Sequence, residues 1–294
     1  MLEHYTVSRR VFLTFNYVFL TCLGIICILP IIHVLAVSFS SSAAAQAGYV
    51  KLWPVQFTLS SYDYVMHKPA FFKSILVTLK RVGLGIPTNM LLTVLIAYPL
   101  SKEAKKFPMR TFYAWVFVVT ILFSGGLIPL YMTIKETHIL DTVWAMVLPG
   151  AVPVFNVILL LNFFRGLPKE LEEAAFIDGA GHWTTLWRIF LPLSLPALAT
   201  ITLFATVNHW NSWFDGLIFM NSPDHYPLQS YLQTVVINRD LTLMSSADMK
   251  SLTEVNDRTA KAAQIFLGAL PILLVYPFLQ RFFMKGIVLG SVKE

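Results

Sequence analysis

Six apolar stretches, at about 11 to 38, 74 to 100, 111 to 131, 143 to 164, 195 to 219 and 261 to 280, alternate with shorter polar segments along the chain. A helix needs about 20 mostly apolar residues to cross a hydrocarbon core roughly 30 Å thick, because it rises about 1.5 Å per residue. The pattern therefore predicts an all-α membrane protein with six transmembrane helices. Prolines interrupt several stretches, among them Pro30, Pro87, Pro129, Pro149, Pro153, Pro271 and Pro277. Membrane helices tolerate proline where neighbours satisfy the freed backbone groups, so kinked and mutually packed helices are expected.

Composition supports this pattern. Hydrophobic residues make up 56% of the 294 positions and charged residues 13%, and the mean hydropathy is +0.65. Soluble domains carry about 25% charged residues. Nothing points to a second globular domain. The expected division is a first helix and outer loop (1–73), a transmembrane core (74–280) that includes a polar loop at 165–194, and a C-terminal tail (281–294). The first apolar stretch exceeds the roughly 7 to 15 residues of a secretory signal and reads as an uncleaved helix.

Charge sets the orientation. With the N-terminus inside, the inner segments hold Arg9 and Arg10, then Lys102, Lys105, Lys106 and Arg110, then Arg165, Lys169 and Arg188, and last Arg281, Lys285 and Lys293. The opposite side receives the longer segments 39–73, 132–142 and 220–260, whose charges weigh less in the positive-inside rule. Both termini are expected in the cytoplasm. The net charge of +6 forms no continuous basic stripe, so nucleic acid is not an expected partner. Cys22 and Cys27 both fall in the first stretch, which excludes a disulfide framework and offers no metal site.

One inner segment departs from a plain connector. Residues Pro168 to Gly181 begin with proline, carry Glu170, Glu172 and Glu173 in the opening turns, and end on glycine. Proline suits a first helical position, acidic residues suit the positive end of the helix dipole, and glycine suits the position after the last turn. Leu171, Ala174, Ala175 and Phe176 or Ile177 add a narrow apolar stripe. Helices that lie on membranes are usually basic on their polar face. An acidic one points to a protein partner.

These residues carry a resemblance. Glu173-Ala174-Ala175, then Gly179, then Ile189, Leu191 and Pro192 match, without insertion, the EAA loop of ATP-binding-cassette import permeases. Trp53-Pro54, Phe57-Thr58, Ala97 to Ser101, Ile128 to Tyr131, Trp210-Asn211 and the tail from Lys285-Gly286 to Lys293 are similar to the carbohydrate-uptake branch, specifically its maltose-type, MalG-like permease subunits, over nearly the full length. The resemblance implies a type I importer permease fold in the bacterial cytoplasmic membrane, with a cytoplasmic EAA coupling helix. It also implies a second homologous permease subunit, two ATPase subunits that bind ATP and Mg, an extracytoplasmic solute-binding protein, and a sugar or oligosaccharide substrate. Glu170, Glu172, Glu173, Ala174, Ala175, Asp178 and Gly179 would then couple to the ATPase, with Gly181, Ile189, Leu191 and Pro192 holding the loop.

The chain has no Gly-x-x-x-x-Gly-Lys-Ser/Thr loop, so hydrolysis must come from another subunit. Its seven histidines are dispersed, and no His-Glu-x-x-His occurs. It is therefore not expected to be an enzyme or to hold a cofactor by itself. Lys80 and Arg81, in the outer part of the second stretch, read as snorkelling or structurally paired charges. The sharper alternative is that one of them faces a substrate path, to which Asn211 and Asp215 could also belong, and meets an acidic sugar such as a uronate oligosaccharide. Competing functions are an importer of glycerol phosphate or peptide, and an ion-coupled secondary transporter. The last would need no docking helix, and neither inverted repeats nor discontinuous spans are read in this sequence.

Overall fold

The computed structural model describes residues 7–237 and 257–291, and all regular structure in them is helical. These residues form two compact units, 7–69 with 234–237 and 257–270, and 70–233 with 271–291.

In the first unit, α1 (Val7–Ser38) is apolar on all sides and none of its membrane-length window is buried within the chain. A helix with no polar face and no covering neighbour belongs in lipid or against another subunit. Its end is the part that packs. Ala36 and Val37 join Ala44 and Ala45 of α2 (Ser42–Gln46), Val50, and Ala262 of α15 (Asp257–Ser291) in a small core. Ser41 caps α2 by accepting the Ala44 N–H at 3.3 Å. Ser40 Oγ accepts the Val55 N–H at 3.0 Å. Phe39 stacks on Phe57 and on Tyr62 of α3 (Ser60–Met66). Burial raises the Tyr62 pKa, an effect opposed by its bond to Ser38.

The second unit is built on α4 (Pro69–Ser101), α5 (Arg110–Leu122), α6 (Leu127–Glu136), α7 (Val143–Val147), α8 (Val154–Arg165), α9 (Lys169–Ile177), α10 (His182–Thr185), α11 (Leu191–Leu193), α12 (Leu195–Asn211), α13 (Phe214–Phe219) and α14 (Leu228–Ile237). Its main core joins Val94, Ala97 and Leu100 of α4, Val157, Leu160 and Phe164 of α8, and Ala197 and Ile201 of α12.

Helices α1 and α4 and the segment Arg258–Val275 are long and apolar enough to cross a membrane, and three bent pairs raise the number of spans to as many as six. The bends depart from the uninterrupted stretches expected above. Helices α5 and α6 meet at 113° across Phe123 to Gly126, and Gly126 takes a positive φ of 85°. The segment Val143–Gly150 meets α8 at 48°, and His182–Leu193 meets α12 at 81°. Pro149 and Pro153 lie at the second break and Pro192 and Pro196 flank the third, each removing a helix donor. The fifth stretch ends as a continuous helix at Asn211, not at 219, and the last helix continues past 280 to Ser291. Discontinuous spans are thus present, and their apparent absence from the sequence does not separate this chain from secondary transporters. Parts of the 220–260 segment, including Asp240, and the last residues of the 281–294 tail lie outside the described residues.

The link between α6 and α7 is tied down by Asp141. Its carboxylate accepts the Asn221 N–H at 3.0 Å and pairs with His225 Nδ1 at 2.8 Å. The His225 bond is the main reason its pKa lies below the usual value. A depressed carboxylate pKa stabilises the fold at pH above the unfolded value, and that stability disappears as pH falls through the folded value. Asp141→Asn is therefore expected to lower the melting temperature at pH 7, and the difference should shrink as pH falls through the acid range below the ordinary carboxylate pKa, as thermal unfolding across a pH series will test.

Candidate functional site

The acidic loop forms the expected helix, but it starts one residue later, with Pro168 as the cap and not the first helical residue. Glu170 and Glu172 sit in the first turn of α9, and the helix ends in a Schellman closure. The Ala180 N–H donates to Ala175 O at 2.9 Å and the Gly179 N–H to Phe176 O at 3.0 Å. Gly179 has a φ of +81°, the left-handed conformation this closure requires. Gly179→Ala is expected to cost about 1 to 2 kcal/mol, and hydrogen exchange at the Gly179 and Ala180 amides should quicken accordingly.

Helix α9 has two faces. Glu170, Glu173, Ala174, Asp178 and Gly179 are exposed, together with Leu171 and with Ile177, which is 86% exposed. Glu172 and Ala175 instead turn inward. The Glu172 carboxylate lies 3.0 Å from Lys102 Nζ and 3.5 Å from Lys106 Nζ, in the link between α4 and α5. Lys102 is itself buried, with Nζ 3.9 Å from the Tyr98 ring centroid and 4.1 Å from that of Phe190. Burial lowers its pKa, and Glu172 pulls in the opposite direction. Beside this pair a cavity of about 570 Å³ is lined by Tyr98, Lys102, Lys106, Phe176, His182 and Trp183, among others.

Further ties hold the loop to the end of α4. Lys169 pairs with Glu103, Arg165 Nη2 donates to Leu100 O at 3.1 Å, and Arg110 Nη1 donates to Lys102 O at 2.7 Å. After α9, Gly181 leads into α10 in an extended conformation, Ile189 and Leu191 are half-buried, and Pro192 is exposed. Glu172 thus occupies a different place from the exposed carboxylates beside it. Lys102 and Lys106 stood in the sequence only as topology charges; the aromatic Tyr98 four residues before Lys102 was the one local hint of burial.

The charges proposed for a substrate path separate. Lys80 is exposed, whereas Arg81 is 3% exposed. The Arg81 guanidinium makes a two-pronged ion pair with Asp215 of α13; its Nη1 lies 3.0 Å from Oδ1, and Nη2 bonds Oδ2. It also donates to Ser212 O and Met146 O, each at 3.4 Å. Asp215 Oδ1 accepts from Ser212 Oγ at 3.1 Å and from the Gly216 N–H at 2.9 Å. The network continues inward from Arg81 Nε to His209 Nδ1 at 3.5 Å, and from His209 Nε2 to Asn89 Oδ1 at 2.6 Å. Asn89 Nδ2 donates to Gly150 O at 2.7 Å and Ala151 O at 2.9 Å, carbonyls at the break before α8. His209 must therefore carry its proton on Nε2, because Asn89 presents its oxygen there. Gly85 permits the close packing: a Cβ at that position would lie 2.5 Å from His209 Nε2. Arg81 and Asp215 come together as a buried clamp, while Asn211 is exposed on α12.

Residues 56–288 match the family model described as the binding-protein-dependent transport system inner membrane component. The chain belongs to that family. It is accordingly a membrane-embedded permease component, and the ATP-hydrolysing function resides in a separate subunit. Among the similar proteins, this permease is 41% identical over 290 residues to Protein LplC of Bacillus subtilis (strain 168), covering 99% of this chain and 97% of that one. It is 38% identical to the polygalacturonan/rhamnogalacturonan transport system permease protein YtcP of the same organism, covering 98% and 100%. A solved chain from a bacterial ABC transporter involved in the import of the acidic polysaccharide alginate superposes with a TM-score of 0.88 at 31% identity, covering 96% of this permease and 99% of that chain.

Proposed function

We propose that this permease is one of two homologous membrane subunits of an ATP-driven, binding-protein-dependent importer of acidic oligosaccharides in the bacterial cytoplasmic membrane. The full-length likeness to the alginate-importer chain, at 31% identity and a TM-score of 0.88, carries the substrate assignment, and the relative named for polygalacturonan and rhamnogalacturonan transport agrees with it. With six spans, three of them broken, both termini lie on one side, and the basic residues Lys102, Lys105, Lys106 and Arg110 in the link after α4 support the cytoplasmic side. Two ATPase subunits bind ATP and Mg on that side, and an external binding protein delivers the sugar.

Helix α9 is the coupling element. Its exposed face offers Glu170, Glu173 and Asp178 beside Ala174 and the almost fully exposed Ile177. With Leu171 and Ala174, Ile177 forms an exposed apolar stripe at three-residue spacing among the carboxylates, which suits a protein partner. Closure of the ATPase dimer would move α9 as a rigid body and switch the membrane helices between two openings, with ATP binding favouring one of them.

The complex reconstituted with its partner permease, ATPases and binding protein is expected to hydrolyse ATP faster with oligogalacturonate or oligoalginate, and not with maltose, glycerol 3-phosphate or a peptide. Stimulation by glycerol phosphate or peptide instead would transfer the assignment to that solute.

A further inference from the structure

A recess of about 280 Å³ opens where α4, α8 and α12 meet, and it is lined by Asn89, Phe155, Asn156, Phe204 and Asn208. Its three asparagines differ in a telling way. Asn89 has both amide protons on backbone carbonyls and its oxygen on His209, so it is saturated. Asn156 is 6% exposed, yet its side chain makes no hydrogen bond among the described residues. Its amide is not among the sealed polar atoms but lines the open recess, and membrane polar groups normally face protein or a water-filled path. Asn208 is exposed on α12, one turn from Phe204 and close to Asn211 on the same face. Phe155 is 65% exposed and Phe204 37%, with ring centroids 6.2 Å apart.

The depth fits a transport path. Asn156 lies nine residues before Arg165, the basic end of α8, which is about 14 Å along a helix and so near the middle of a hydrocarbon core about 30 Å thick. The recess sits just after the break at Pro153, where the chain redirects into α8.

We propose that Asn156 and Asn208, with the faces of Phe155 and Phe204, form a contact site for one pyranose ring of an acidic oligosaccharide in transit. The idea rests on the importer reading and names the substrate contact within it. Amide N–H groups donate to ring hydroxyls and to a uronate carboxylate, amide oxygens accept from hydroxyls, and aromatic faces pack against the C–H face of a pyranose. The recess is slightly smaller than the roughly 300 to 1,000 Å³ of drug-sized sites, which suits one ring held weakly and released. No cation lies in its lining, since Arg81 is held by Asp215; a carboxylate would be met by neutral donors and not trapped by charge.

The test uses the complete complex in vesicles, with Cys22→Ser and Cys27→Ser removing the native thiols. Asn208→Cys in this background should be modified by a small water-soluble thiol reagent, and saturating oligogalacturonate delivered by the binding protein should slow that modification about tenfold. Asn156→Leu should reduce oligogalacturonate uptake about tenfold, the loss expected for one to two hydrogen bonds in passage, and Asn156→Gln should restore most of it. Labelling at a rate that sugar leaves unchanged, or full uptake by Asn156→Leu, overturns the site. An unmodified complex that moves no acidic sugar overturns the importer reading together with it.

Discussion

Asp215→Ala is expected to prevent stable assembly of the permease or to lower its melting temperature far more than any surface change. The substitution leaves the buried Arg81 guanidinium with two carbonyls at 3.4 Å in place of a two-pronged carboxylate. Breaking one side of a buried pair costs about 3 to 5 kcal/mol, because an uncompensated charge remains in a low-dielectric site. Whole proteins are stable by only about 5 to 15 kcal/mol. The same change frees the Ser212 hydroxyl and the Gly216 N–H, which hold the turn between α12 and α13. Removing both charges with Arg81→Met and Asp215→Leu should recover much of the loss, because an apolar pair of similar volume avoids the desolvation cost. Thermal unfolding of the purified complexes would measure this, and an Asp215→Ala protein as stable as the unmodified one would refute the clamp.

Glu172→Leu should separate hydrolysis from transport. Glu172 faces away from the exposed side of α9 and holds Lys102 at 3.0 Å beneath the Tyr98 and Phe190 rings. If α9 is where the ATPase pushes, this ion pair is where the push reaches α4. That helix then runs about 30 Å to the Arg81 clamp at its far part, at about 1.5 Å per residue. With leucine at position 172 the exposed face is retained but the tie to α4 is broken and Lys102 is left buried without its carboxylate. The expected result is a complex that still binds ATPase subunits and moves about tenfold less sugar for each ATP hydrolysed. Glu172→Asp, which keeps the charge, should lie between the two. An unchanged transport ratio in Glu172→Leu would place the transmission elsewhere.

The helical class and the positions of most spans were legible because lipid forces long apolar runs, and six such runs are hard to mistake. The start and stop of α9 were also legible, to within one residue, since Pro168, the glutamates and Gly179 each carry a local backbone preference. What escaped was non-local. The breaks at Phe123 to Gly126 and at Ser194 lie within or beside apolar text, and whether a proline or glycine kinks a membrane helix or fully interrupts it depends on what its neighbours can satisfy. Glu172 and Glu173 are adjacent and chemically identical; only the fold sends one inward to Lys102 and leaves the other exposed. Arg81 and Asp215 are 134 residues apart, and the pairing that distinguishes Arg81 from the exposed Lys80 leaves no mark in sequence spacing. Asn89 and Asn156 were visible as polar residues in apolar runs, the signal that could have drawn them out.

Coupled transport requires α9 to be a cytoplasmic contact to a separate motor. Cysteine placed at Ile177, the most exposed apolar position on that helix, should form a cross-link to an ATPase subunit in the assembled complex and should resist membrane-impermeant thiol reagents added to intact cells. Labelling of Ile177→Cys from outside the cell, or an assembled complex in which it captures no ATPase subunit, would contradict it.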